Sequence, residues 1–106
     1  MKSSSPTLPQ LQRYVADLCR ERGWDQASDL ETFLLFAEEV GELAKAIRRR
    51  RKLFAEKGKP PADDQELAHE MADILSYLLD LANRFDVDLE KAFLEKEDIN
   101  AQRDWE

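Results

Sequence analysis

Two acidic pairs lie inside the two longest apolar segments of the chain, and both pairs have the spacing of one helix face. The first pair lies within residues 33–47 and the second within residues 67–85. The four acids are Glu39, Glu42, Glu70 and Asp73. Because positions three apart lie on the same side of an α-helix, each segment predicts a helix that projects two carboxylates sideways.

The apolar residues of each segment form a stripe beside its acidic pair. On a helical wheel, the centre of each stripe lies about 80° from the first acid of the pair. We therefore expect both pairs to border the seam along which the two helices pack. The stripe residues are Phe33, Phe36, Val40, Leu43 and Ile47 in the first segment and Leu67, Met71, Ile74, Leu78, Leu81 and Phe85 in the second.

Four carboxylates at one seam would repel one another and raise their own pKa values unless hard cations lay between them. Ligands that are all oxygen favour Mg²⁺, with Mn²⁺ as a substitute, because zinc sites usually recruit His or Cys. A single acidic pair on a helix is common by chance. Two matched pairs on consecutive helices predict a metal site.

Composition limits the other classes of function. The length of 106 residues and the 42% hydrophobic content predict one small domain, which would be more stable as an oligomer. A net charge of -7 argues against stable nucleic-acid binding, because phosphate backbones call for an excess of Lys and Arg. The single cysteine, Cys19, lies on an apolar helix face, which indicates buried packing in a reducing compartment. No segment approaches the ~20 apolar residues of a membrane span, and no signal peptide is recognised, so we expect a cytoplasmic protein.

Capping signals place the helix boundaries. The predicted caps are Thr7 for the first helix, Ser28 with Glu31 for the second, Asp63 or Asp64 for the third and Asp88 for the fourth. Gly23 predicts the end of the first helix, and the second is expected to run to about Lys57. Four helices with short connections predict an all-α four-helix antiparallel bundle, completed by oligomerisation. Residues 1–6 are expected to form a flexible tail, and residues 7–106 a single helical domain.

Four features leave a structural and a functional interpretation open. Trp24 is either a core or interface anchor or a ligand contact in a loop. Gly41, which costs ~1 kcal/mol against Ala in a helix, indicates either a close approach beside Glu42 or tight helix packing. The basic run at residues 48–52 either stabilises a helix end or forms a rim that attracts anionic substrates. Glu38, one turn before Glu42, is an extra metal ligand, a general base or a solvated side chain.

The two acidic segments resemble a known family signature. The segments Glu39 to Leu43 and Glu70 to Leu78 resemble the ExxE and ExxD motifs of the MazG-like all-α nucleoside triphosphate pyrophosphohydrolases. The likeness extends from about Thr7 to Arg103 and is closest in pattern to the dCTP pyrophosphatase branch. The first helix, which ends in an Arg-x-Trp step, and the motif Lys96, Asn100 and Arg103 are similar to that branch.

The resemblance implies Mg²⁺-dependent hydrolysis of a (deoxy)nucleoside triphosphate to the monophosphate and pyrophosphate, as nucleotide-pool house-cleaning. It also implies a homodimer or homotetramer. The implied metal ligands are Glu39, Glu42, Glu70 and Asp73, and the implied phosphate or sugar contacts are Lys96, Asn100 and Arg103. The residues implied to frame the base or sugar are Trp24, Phe36 and Tyr77. Glu38 and Glu39 are the predicted catalytic residues.

Two other functions stay open at this point. Glu66 and His69 form a Glu-x-x-His motif of the kind used by di-iron carboxylate bundles. That architecture requires two such motifs, whereas the chain has one His. Alternatively, the chain is a non-catalytic helical interaction module, in which the acids decorate the surface and the apolar seam recruits a partner.

Overall fold

The computed structural model describes residues 4–54 and 56–103, and these residues form four α-helices. The helices are α1 (Leu8–Arg22), α2 (Asp29–Arg50), α3 (Asp64–Arg84) and α4 (Leu89–Ala101), with a short 3-10 turn at Trp24–Gln26. No strand occurs within these described residues, which confirms the all-α prediction. Half of the predicted tail, residues 1–3, and residues 104–106 of the predicted domain lie outside them. The single-domain assignment stays a prediction.

The helices begin at the predicted caps. Thr7 and Gln10 form a capping box at α1, and Ser28 and Glu31 form another at α2. The Asp63 carboxylate accepts a hydrogen bond from the Glu66 backbone N–H at 2.8 Å, which makes Asp63 the cap of α3. Asp88 caps α4 by accepting from the Lys91 N–H at 3.1 Å. At the other end of α1, Gly23 has a φ of 73°, as the predicted stop requires.

The end of α2 was predicted wrongly. The helix ends at Arg50 rather than near Lys57, and a Schellman motif closes it. The Leu53 N–H donates to the Arg48 carbonyl at 2.9 Å, and the Lys52 N–H donates to the Arg49 carbonyl at 3.2 Å. Lys52 takes the left-handed conformation with a φ of 57°. Because a glycine usually fills this position, the sequence carries no stop signal there.

Ion pairs hold the last turn of α2 to the start of α3. Arg49 pairs with Glu66, and Arg50 pairs with Asp64 at 2.6 Å. Arg50 also donates to the carbonyl of the buried Ala62 at 3.2 Å. Part of the basic run therefore has a structural role in the connection between the helices.

The chain divides into two compact units, and the division falls within α3, after Leu78. The central unit is Ala27–Leu78, which contains α2 and most of α3. The terminal unit consists of the chain segments on either side of it, with α1, the end of α3 and α4.

The terminal unit has a small apolar core of Val15, Cys19 and Leu79, with Leu8, Leu11 and Leu89 packed against it. The predicted burial of Cys19 is confirmed. Desolvation, followed by the charge of Asp80, raises the pKa of the Cys19 thiol. The thiol is therefore protonated at neutral pH and acts as a packing group.

One buried glutamine joins three segments of the terminal unit. The Gln12 side-chain amide donates to Asn83 Oδ1 at 3.2 Å and to the Val87 carbonyl at 2.8 Å, and its oxygen accepts from the Leu89 N–H at 2.9 Å. In return, the Asn83 amide donates to the Gln12 carbonyl at 2.8 Å. These bonds fix α1 against the turn between α3 and α4.

The buried face of α2 in the central unit overlaps only part of the predicted stripe. Thr32 and Ala46 are buried, and Phe36, Glu39 and Leu43 are half-buried beside them. Six residues of the predicted seam are exposed instead: Phe33, Val40, Ile47, Met71, Leu78 and Phe85. The wheel located the apolar stripes, but it could not say that part of each stripe would face outward in a single chain. Glu39 consequently lies within the buried face rather than at its border.

In the described part of the chain, no helix combines the length and the apolar character that crossing a bilayer requires.

Candidate metal centre

Three of the four predicted metal ligands come together in the central unit. Glu39 on α2 and Glu70 and Asp73 on α3 each offer a carboxylate oxygen, and these oxygens lie within 4.8 Å of one another. We call these three residues the acidic cluster. The pair on α3 converges because its members are three residues apart, and the packing of α2 on α3 adds Glu39.

Glu39 and Glu70 are half-buried and Asp73 is exposed, and the proximity of the three carboxylates makes the acidic cluster electrostatically unfavourable without a cation. Desolvation is the largest cause that raises the pKa of Glu39, followed by the charges of Asp73, Glu70 and Glu42. Glu70 Oε2 is buried and accepts no hydrogen bond from the described residues. A buried carboxylate oxygen without a donor is costly, and a hard divalent cation is the partner that such oxygens fit.

The fourth predicted ligand, Glu42, lies outside the acidic cluster. Its side chain is exposed and forms an ion pair with Lys45 at 3.7 Å. Its charge nevertheless contributes to the raised pKa of Glu39, so it acts on the same site. Glu38, the other predicted catalytic residue, is exposed on α2 and is not part of the acidic cluster.

Two of the predicted base or sugar contacts belong to the central unit. Phe36 is half-buried, and its ring centroid lies 6.1 Å from that of Phe33. Tyr77 is half-buried on α3, one turn after Asp73. The structure therefore places both residues on the same two helices as the acidic cluster.

The other predicted substrate contacts belong to the terminal unit. Trp24 is 53% exposed, and the Arg22 guanidinium lies 4.9 Å from its ring centroid. Arg84 donates to the Trp24 carbonyl at 3.1 Å, which holds the 3-10 turn in place. Lys96 is exposed on α4, Asn100 is half-buried in its last turn, and Arg103 follows its end.

Two features of the central unit bear on the other sequence predictions. His69 is exposed and is not among the acidic cluster's residues, so the Glu-x-x-His motif gains no support. Lys45, which pairs with Glu42, was not predicted, although its three-residue spacing was a readable signal. The ion pair between Arg49 and Glu66 joins residues that lie 17 positions apart in the sequence, so no local sequence pattern predicts it.

Comparison with known proteins agrees with this geometry. Residues 28–101 match the MazG nucleotide pyrophosphohydrolase domain. The chain is 39% identical over 105 residues to dCTP pyrophosphatase 1 of Mus musculus and 38% identical over 108 residues to dCTP pyrophosphatase 1 of Homo sapiens. In both cases the match covers 95% of this chain but only 61% of the relative.

A solved structure extends the likeness to the fold. The crystal structure of YpjD from Bacillus subtilis superimposes with a TM-score of 0.76 at 27% sequence identity, covering 96% of this chain and 100% of that one. The matched domain covers most of this chain and contains the whole acidic cluster. The protein thus belongs to the MazG nucleotide pyrophosphohydrolase family.

Proposed function

We propose that the protein is a Mg²⁺-dependent pyrophosphohydrolase that converts a (deoxy)nucleoside triphosphate to the monophosphate and pyrophosphate. The observation that carries this proposal is the acidic cluster, in which three carboxylate oxygens lie within 4.8 Å of one another. Membership of the MazG family and the likeness to dCTP pyrophosphatase 1 supply the reaction class. The cellular role that follows is removal of surplus or modified nucleotides.

In this proposal Glu39, Glu70 and Asp73 would hold Mg²⁺, or Mn²⁺ as a substitute. Glu42 would join them by giving up its ion pair with Lys45 and binding the cation instead. A divalent ion held there would supply Lewis acidity for the phosphate oxygens and for the attacking water. The site is rigid, because two helices hold its carboxylates in place. Their negative charge also keeps unmetallated phosphate away, so the substrate enters with the cation present.

The remaining roles concern the proton and the nucleotide. Glu38 and Glu39 are the proposed bases that accept the proton of the attacking water. The proposed phosphate or sugar contacts are Lys96, Asn100 and Arg103. The proposed base or sugar contacts are Trp24, Phe36 and Tyr77.

We also propose that the protein is a homodimer or a homotetramer. Two exposed apolar stripes in the central unit support this assembly. The stripe on α2 consists of Leu30, Phe33, Leu34, Val40 and Ile47, and the stripe on α3 consists of Met71, Leu75 and Leu78. Large exposed apolar side chains grouped along helices in this way are typical of interfaces between proteins.

The deciding experiment incubates the purified protein and Mg²⁺ with a panel of canonical and modified nucleoside triphosphates, dCTP included, and separates the products by chromatography. Monophosphate with pyrophosphate is the expected result. Glu39→Gln and Asp73→Asn are each expected to lower turnover at least about 100-fold. Glu90→Gln, which removes an exposed carboxylate in the first turn of α4, is the matched control and is expected to keep full turnover.

Two outcomes would contradict the proposal. Diphosphate with orthophosphate would overturn the position of cleavage, and intact turnover in both cluster variants would overturn the site. A calorimetric Mg²⁺ titration of Glu70→Gln separates the enzyme from a non-catalytic interaction module. The module predicts unchanged metal affinity, whereas the proposed site predicts that this affinity falls.

A further inference from the structure

A polar cavity of about 390 Å³ lies in the central unit, beside the acidic cluster. We call it the basic cavity, because four cations line it: Lys45, Arg48, Arg49 and Lys59. The rest of its lining consists of Ala46, Phe54 and the carboxylates of Glu42, Glu56, Glu66 and Glu70. The cavity lies where the last turns of α2 meet the connection to α3 and the first turns of that helix.

Internal acceptors balance the four cations of the basic cavity, and most of these acceptors are exposed. Lys45 pairs with Glu42 at 3.7 Å, Lys59 pairs with Glu56 at 3.5 Å, and Arg49 pairs with Glu66. The carboxylate side chains in these pairs are 55%, 76% and 48% exposed, respectively. Ion pairs at such exposure contribute little to stability, so a stronger anion can displace the carboxylates.

Arg48 is balanced in a different way. One of its terminal nitrogens donates to the Phe54 carbonyl at 2.8 Å, and no carboxylate among the described residues forms an ion pair with it. The Phe54 carbonyl belongs to the exposed turn after α2. The guanidinium thus keeps further donors for an anion, and its fork geometry suits phosphate oxygens.

The basic cavity and the acidic cluster share one side chain, Glu70, and Glu42, proposed above as a further metal ligand, also lines the cavity. With these two acids ionised, the lining carries four positive and four negative charges. Divalent cation binding at the metal centre would offset the charge of Glu70 and, with Glu42 as the proposed further ligand, would release Lys45 from Glu42. The lining would then carry a net positive charge, which a phosphate chain extending from the cation needs.

We propose that the basic cavity binds inorganic pyrophosphate, and that in the substrate it holds the β- and γ-phosphates. This inference rests on the proposed function. A water oxygen attacks the α-phosphorus and gives its proton to a carboxylate. The bond from the α-phosphorus to the bridging oxygen breaks, and pyrophosphate leaves with that oxygen and the bonding electron pair. Arg48, Arg49 and Lys59 then neutralise the charge on the leaving group.

The test is isothermal titration of inorganic pyrophosphate into the whole protein with saturating Mg²⁺. Arg48→Gln and Lys59→Gln are each expected to weaken pyrophosphate binding about tenfold, since each removes a charge-assisted contact. Arg51→Gln is the matched control, because Arg51 belongs to the same basic run but does not line the cavity. The affinity of Arg51→Gln for pyrophosphate is expected to stay within about twofold of that of the wild type. Circular dichroism verifies the fold, and Lys59 lies outside the helices, so at least one variant tests the cavity alone.

The outcomes separate this inference from the proposed function. Equal pyrophosphate affinities in the wild type, Arg48→Gln and Lys59→Gln would overturn the basic cavity as the subsite. Failure of the wild type to bind pyrophosphate, while it still produces monophosphate from triphosphates, would overturn the subsite and keep the function. Weakened binding in both variants, with no triphosphate cleaved by the wild type, would support the subsite and overturn the function.

Discussion

Glu39 lies among charges of its own sign, and this has a consequence for stability that pH reveals. Burial and the neighbouring Asp73, Glu70 and Glu42 raise its pKa in the folded protein. A carboxyl group with a raised folded pKa favours the folded state while it is protonated in both states. That contribution is lost as the pH rises from the ordinary pKa through the raised one. At neutral pH the metal-free protein therefore carries an unfavourable charge at this position.

Glu39→Gln is accordingly expected to raise the melting temperature of the metal-free protein at neutral pH. The difference from the wild type should shrink as the pH falls, because the wild-type carboxyl then becomes neutral too. Thermal unfolding in the presence of a chelator measures both effects. Glu38→Gln is the control, since Glu38 is exposed and lies outside the acidic cluster, and it should show little change. A lower melting temperature for Glu39→Gln than for the wild type at neutral pH would contradict the argument.

At the residue scale, sequence spacing predicted most of the candidate site. The three-residue step placed Glu70 and Asp73 together, and the second acidic pair supplied Glu39. Glu42 was predicted as a fourth ligand, but it points instead to Lys45. Wheel geometry gives directions around one helix. It could not decide between the metal site and Lys45 as the partner of Glu42, because both lie within reach of one helix face.

At the scale of helices, the hydrogen bonds of one glutamine hold the terminal unit together, and no local sequence pattern predicts these bonds. Gln12 bonds to Asn83, Val87 and Leu89, which are 71 to 77 residues away along the chain. Caps at Thr7, Ser28 and Asp88 were predictable because their partners lie three residues away. The Gln12 bonds were not predictable, since they exist only after α1 meets the turn between α3 and α4.

Gln12→Leu tests how much these bonds stabilise the terminal unit. The change leaves the Leu89 N–H and the Val87 carbonyl without their Gln12 partner in a partly buried region. We expect the free energy of unfolding to fall by about 1–3 kcal/mol, measured by urea denaturation. Gln65→Leu, at an exposed position on α3, makes the same chemical change and is expected to stay within about 0.5 kcal/mol of the wild type. Equal losses in the two variants would show that the Gln12 bonds add nothing specific.

At the scale of the whole molecule, Gly41 is the residue whose purpose a single chain does not explain. A glycine inside a helix costs ~1 kcal/mol against Ala, and the sequence therefore indicated either a close approach beside Glu42 or tight helix packing. In the described chain, a Cβ placed on Gly41 would meet no heavy atom within 4 Å outside its own helical backbone. Gly41 is exposed and lies two turns after Leu34, on the side of α2 that carries part of the exposed stripe. The close approach would then have to come from a second copy of the chain, as the proposed oligomer supplies.

Gly41→Lys follows as the test of that assembly. In an isolated chain the lysine would extend into open space and stabilise the helix by roughly 0.5–1 kcal/mol, because Lys is a better helix former than Gly. In an oligomer that packs along the α2 stripe, the same side chain would place a charge in an apolar interface. We expect light scattering to give the mass of a single chain for Gly41→Lys and of an oligomer for the wild type and for Gln65→Lys, with helicity unchanged. If Gly41→Lys kept the oligomeric mass, the stripe would not be the interface. If the wild type were itself monomeric, the exposed apolar surface would need a different partner, and the glycine a different explanation.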